Sequence, residues 1–134
     1  NFMLPENIDS YVPEGLIWKG IGTKYQTIYI NEVLRIYHIN QPGSSLSTVN
    51  KGRNRYPEGG AFYNLQMIND FNEYIKGHWL LKAKIYVNYL SLSFLARINI
   101  VKIFFKVYSF KKKILLVFLL PLGGLLYIKQ LLKK

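Results

Sequence analysis

Fifteen consecutive residues, Ile114 to Ile128, carry no charge, and they are fenced by Lys111-Lys112-Lys113 on one side and Lys129, Lys133 and Lys134 on the other. This stretch constrains the chain more than any other. An apolar run of this kind needs burial in a core or contact with lipid. It is shorter than the roughly 20 residues that span a bilayer as a helix. Pro121 and Gly123-Gly124 interrupt it. The pattern predicts a shallow or re-entrant hairpin, with lysines at both ends reaching toward headgroups.

Charge points the same way. Residues 1–60 hold six Lys/Arg against five Asp/Glu, whereas residues 61–134 hold twelve against two, and no acidic residue follows Glu73. The net charge is +11 over 134 residues. One-sided charge implies an anionic partner, either nucleic acid or anionic lipid. Tyr and Lys interleave at Lys82, Lys84, Tyr86 and Tyr89, but no RNA-recognition signature is present, so nucleic acid is not expected as a partner. The absence of cysteine excludes disulfides, thiolate metal sites and cysteine nucleophiles.

The chain reads in three parts: 1–60, a helical extension at 61–97, and a basic amphipathic and apolar tail at 98–134. In the first part, Pro13 suits a helix start, and Leu16, Ile17, Ile21 and Tyr25 recur at helical spacing from Glu14 to Tyr25. Glu14 then falls in the first turn, at the positive end of the helix dipole. Thr27–Ile30 and Val33–Ile39 are rich in β-branched and aromatic residues and predict a short strand pair. Asn40–Gly60 reads as a loop bearing Lys51, Arg53 and Arg55. Ala61–Ile75 and Trp79–Ala96 read as helices, with Gly77 between them. Ile98–Phe110, with Lys102 and Lys106 four apart among apolar residues, reads as a basic membrane-surface helix. Membrane contact is therefore expected of Lys102, Lys106, Lys111, Lys112, Lys113, Phe118 and Leu119.

Candidate chemistry is sparse. Gly20-Ile21-Gly22 lacks the third glycine and the preceding strand of a dinucleotide fingerprint. His38 and His78 have no carboxylate at ligand spacing, so no metal site is expected in this chain. Lys51-Gly52-Arg53 is not a Walker loop; it is a solvated loop or a basic segment that touches a phosphate or diphosphate. On position alone, Glu14 stabilises its helix.

Val12-Pro13-Glu14-Gly15-Leu16-Ile17-Trp18, then Lys24-Tyr25, then the run from Tyr29 to Tyr37 (YINEVLRIY), then Ser45-Leu46-Ser47, resemble in order the C-terminal part of bacterial family 2 glycosyltransferases. Pro121-Leu122-Gly123 resembles the apolar tail of membrane-associated members. The match is dense from Val12 to Ser47 and looser beyond. The resemblance implies an α/β, mostly helical fragment of a GT-A fold: helix, short strand pair and loop, followed by helices and a membrane-associating tail. It implies an inverting enzyme using a nucleotide-sugar donor and a glycan or lipid-linked acceptor, at the cytoplasmic face of the cell membrane. Glu14 would be the general base. Trp18, one turn on, would line the acceptor pocket or pack, and Lys51 and Arg53 would meet substrate phosphates. The family's metal, Mg or Mn, is held by an Asp-x-Asp motif that this chain lacks; its only aspartates are Asp9 and Asp70. The chain is therefore expected to be the C-terminal segment of a longer enzyme, inactive alone. The alternatives are a non-enzymatic basic membrane-associated protein and, less favoured, an RNA-binding protein.

Overall fold

A computed structural model describes residues 13–26, 28, 30–32 and 56–132. Five α-helices and one 3-10 turn make up the ordered elements among them: α1 (Gly15–Gly22), α2 (Pro57–Asn69), the 3-10 turn Asn72–Ile75, α3 (Trp79–Leu95), α4 (Ile100–Phe105) and α5 (Phe110–Leu131).

No strand occurs among the described residues, which corrects the expectation of an α/β fragment with the strand pair of a GT-A fold. Ile28 is 84% exposed and Ile30 is 60% exposed, in irregular backbone. β-branched residues favour strands because they fit a pleated, half-buried surface. Among the described residues nothing packs over these two. The second expected strand, Val33–Ile39, lies outside the described residues.

The helices depart from the sequence pattern in instructive ways. α2 begins at Pro57, inside what reads as a loop. Pro at the first position loses no helical hydrogen bond, and Glu58 in the first turn meets the positive end of the dipole. Gly60 is tolerated because α3 comes so close: a Cβ there would stand 2.9 Å from Leu92 Cδ1. The helix read over Ala61–Ile75 breaks at Asp70–Phe71, and Asn72–Ile75 continues as a 3-10 turn. Gly77, at φ 84, adopts the left-handed conformation that separates this turn from α3.

α4 is shorter than the amphipathic run suggests. Asn99 caps it by accepting from the Val101 backbone N–H at 2.9 Å. Beyond Phe105 the chain is taken up by Asn69 of α2. Asn69 Nδ2 donates to the Lys106 carbonyl at 2.9 Å, and Asn69 Oδ1 accepts from the Tyr108 N–H at 3.3 Å.

α5 runs unbroken through Pro121 and Gly123-Gly124, where a hairpin was expected. The reason is packing. A Cβ on Gly123 would stand 2.6 Å from Leu90 Cβ, so the glycine is the place where α5 closes on α3. Tyr127 makes an edge contact with Phe94 (centroids 5.9 Å apart), and Gln130 Oε1 accepts from Ser91 Oγ at 2.8 Å. The paired residues ascend together, so α5 and α3 are parallel.

α3 is the centre of the molecule. Tyr89, Leu90, Ser91, Leu92 and Ser93 are all buried, a full turn enclosed on every side. Gly60 of α2 meets Leu92, whereas α5 meets Leu90 and Phe94. At about 100° per residue, Leu92 lies about 160° around α3 from Phe94. At this level α2 and α5 therefore flank α3 on opposite sides, whereas at the other end Lys112 of α5 reaches the carbonyls that end α2. α4 covers a third side, where Tyr89 Oη donates to the Ile103 carbonyl at 3.0 Å. The core joins Leu65, Ile68 and Phe71 to Ile85, Tyr86, Tyr89, Leu90 and Leu92, with Ile103, Val107 and Leu116 closing it.

Candidate functional site

α1 carries the candidate chemistry and docks on the side of α2 away from α3. Leu16 is fully buried, and Lys19 Nζ donates to Tyr63 Oη at 2.6 Å. The same ammonium is 4.9 Å from the Tyr63 ring centroid. The short contact to the hydroxyl places it at the ring's polar edge, so the hydrogen bond dominates over attraction to the ring face.

Glu14 is the residue before α1, with αR backbone and no side-chain capping bond. Its carbonyl accepts from Ile17 N (2.9 Å) and Trp18 N (3.3 Å), and its side chain is exposed. Trp18 stands one turn on, 66% exposed, on the same side of the helix. Neither packs into the body.

Beside them, Ile17, Gly20, Ile21, Thr23, Lys24 and Tyr25 of the α1 region face Phe62, Gln66, Asp70 and Phe71 across an open cleft of about 620 Å³. Phe62, Gln66 and Asp70 recur every four residues, which places them on one face of α2. That spacing is legible in the sequence, but only the docking of α1 shows what the face opposes. Lys51 and Arg53 lie outside the described residues.

A second surface lies on α5. Phe110, Ile114, Val117, Phe118, Leu122, Leu125 and Ile128 are exposed, whereas Leu116 and Gly123 are buried against the body. Phe118 is 76% exposed. Leu119 is half-buried against the core. α5 is the one helix among the described residues long and apolar enough to cross a membrane, with mean hydropathy 2.0 over its most apolar 18 residues. Core helices of soluble proteins pass that test too, but they are mostly buried; here 11% of the stretch is.

The lysines divide by environment. Lys102 and Lys106 of α4 and Lys111 of α5 are exposed. Lys113 Nζ is 5.7 Å from the Phe105 ring centroid. Lys112 turns inward: its Nζ donates to the Ile68 carbonyl at 2.6 Å and to the Asn69 carbonyl at 3.3 Å. These carbonyls end α2, where a cation meets the negative pole of the dipole. Burial pulls the Lys112 ammonium below the ordinary lysine value, with Asp70 opposing and Lys82 adding to the shift.

Among the described residues no group of three His, Asp or Glu side chains could hold a metal ion. The chain matches no family model, and comparison with curated proteins and with solved structures finds no match.

Proposed function

We propose that this chain is the acceptor-side and membrane-docking segment of an inverting, nucleotide-sugar-dependent glycosyltransferase in surface polysaccharide synthesis. One observation carries the reading. A single packed body bears a carboxylate-headed helix open to solvent on one side and an uncovered, lysine-ended apolar helix on the other. The ordered motifs from Val12 to Ser47 support the chemistry, and the exposed face of α5 supports work at the cytoplasmic face of a membrane.

In this reading Glu14 takes the proton of an acceptor hydroxyl as that oxygen bonds to the anomeric carbon of the donor sugar. The bond from that carbon to the diphosphate oxygen breaks in the same displacement. Configuration inverts, so a single base is enough. Trp18 orients the acceptor beside it. The residues described here do not form a site for a divalent metal, and donor and metal binding are assigned to the remainder of the enzyme.

Glu14→Gln in the full-length gene product tests the base. The expected result is a loss of roughly 100-fold or more in turnover with donor binding intact. Glu14 makes no capping bond, so the fold is expected to survive the change. A loss of a few-fold or less would leave the second reading, a non-enzymatic basic membrane-associated protein. The exposed apolar face favours that reading equally, because it does not depend on Glu14.

A further inference from the structure

The cleft between the α1 segment and α2 opens on the side of α1 that bears Glu14. Ile17, in its wall, stands less than one turn past Glu14. At about 100° per residue, Ile21, also in the wall, returns to within about 20° of Glu14 around the helix. A ligand in the cleft therefore lies against the helix face that carries the carboxylate.

The lining is of two kinds. Phe62 and Phe71 add to the apolar wall, and Tyr25 contributes a ring that is 69% exposed. The rest is polar: Thr23, Lys24, Gln66 and Asp70. Gln66 and Asp70 stand one turn apart on α2. Among the described residues the side chains of Lys24, Gln66 and Asp70 form no hydrogen bond or ion pair. Thr23 Oγ1 donates to the Gly20 carbonyl at 2.7 Å and keeps its lone pairs. The cleft thus holds donors and acceptors that the fold itself does not use.

Charge narrows what they fit. One ammonium, Lys24, faces one carboxylate, Asp70, in a chain whose net charge is +11. Asp70 repels a diphosphate or an acidic sugar, and Lys24 repels a cation. No strand occurs among the described residues, so a peptide finds no ladder to join here. Unused polar groups beside ring faces suit a ligand with hydroxyls at its rim and C–H groups on its faces, which describes a sugar. The volume of about 620 Å³ is that of a small-ligand site.

We infer that this cleft binds the acceptor, and that the acceptor sugar held there is uncharged. Gln66 and Asp70 take its hydroxyls from the α2 side, Lys24 and Thr23 from the α1 side, and Tyr25 covers a ring face. Asp70 sets the selection against acidic sugars. Calling the ligand an acceptor rests on the transferase reading above; the binding itself involves no chemistry at Glu14.

The test is an array of immobilised oligosaccharides, some neutral and some containing uronic acids. The full-length gene product is applied at about 0.3 M salt, which screens attraction to its basic surface. The wild type is expected to retain uncharged glycans and to pass over the acidic ones. Gln66→Ala should weaken that retention at least tenfold. Asp70→Asn, which keeps the shape and removes the charge, should admit acidic glycans. Neither side chain carries a bond in the fold, so both variants should keep the wild-type denaturant midpoint. Three results overturn the inference: no uncharged glycan retained, retention confined to acidic glycans, or retention unchanged by Gln66→Ala. An Asp70→Asn profile identical to the wild type overturns the selection given to Asp70. Glu14→Gln separates this inference from the reading beneath it. Retention together with a fully active Glu14→Gln enzyme sinks the transferase assignment of Glu14 and leaves the cleft as a sugar site. A Glu14→Gln enzyme without turnover, in a protein that retains no uncharged glycan, keeps that assignment and sinks the inference.

Discussion

α2 and α5 pack on opposite sides of the same central helix, yet their outer faces are opposites. The outer face of α2 carries Phe62, Tyr63, Gln66 and Asp70 and is partly covered by α1, with Lys19 bonded to Tyr63. The outer face of α5 is an exposed row of Ile, Val, Leu and Phe, with nothing over it among the described residues. Both helices close on α3 through a glycine, Gly60 and Gly123. The inner faces therefore obey one rule, close packing, and the outer faces differ in kind: a partly polar face beside α1 on one side, an exposed apolar face on the other. Composition alone does not separate the inner and outer faces of α5, since both are apolar; the position of α3 does.

The largest expected effect removes both flanks together. Tyr86 and Tyr89 sit in α3, and burial pushes each phenol up to about 12; for Tyr89 the Ser93 hydroxyl pulls slightly the other way. The Tyr86 hydroxyl finds no partner among the described residues, so its desolvation is unopposed. In the unfolded chain these groups ionise near the ordinary value of 10, whereas in the fold they stay neutral. Their contribution is complete below pH 10 and is lost as pH rises toward 12. Two displacements from 10 to about 12, at about 1.4 kcal/mol per pH unit, amount to roughly 5 kcal/mol at most. Denaturant midpoints measured from pH 9 to 12 should fall steeply over that window; a flat profile would break the picture of one sealed core.

A smaller change should break one flank. Gly123→Val places side-chain atoms against Leu90 Cβ, which belongs to the neighbouring helix and cannot swing away. We expect a loss of about 3 kcal/mol, with α5 detached and α2 still on α3. Hydrogen exchange should show α5 amides losing protection while those of α2 keep it. Gly60→Ala is the contrasting case, since the atom it meets is the flexible end of Leu92.

The smallest effect concerns the cover over α2. Lys19→Met removes the bond to Tyr63 but keeps the stem that packs beside it. We expect about 1 kcal/mol or less, seen as a slightly lower midpoint with no change in vesicle binding. A loss of membrane affinity in this variant would contradict the separation of the two faces.

Much of the helical layout was legible in the sequence. The helix read over Trp79–Ala96 matches α3 to within a residue, and Pro13 lies just before the start of α1. The misses have physical causes. Pro121 and Gly123-Gly124 carry the local signature of a break, but Gly123 is where α5 approaches α3, and tertiary contact overrides a local preference. Pro57-Glu58 opens a helix that Gly59-Gly60 disguises as loop. Of the strand-like stretch Thr27–Ile30, Ile28 and Ile30 have the right residue type but no packing partner among the described residues. At the candidate site, the exposure of Glu14 at a helix start follows from local sequence. The cleft does not, because Asp70 and Lys24 come to line it only through the placement of two segments that are distant in sequence.

Lys112 has a further consequence for how this molecule responds to salt. Three adjacent lysines suggest three ions released on binding an anionic surface, but the middle one already has its ammonium on the Ile68 and Asn69 carbonyls. An ion committed to a helix end does not exchange counterions with the medium. The effective valence at this end of α5 is two, and an amine-labelling reagent should modify Lys111 and Lys113 well before Lys112.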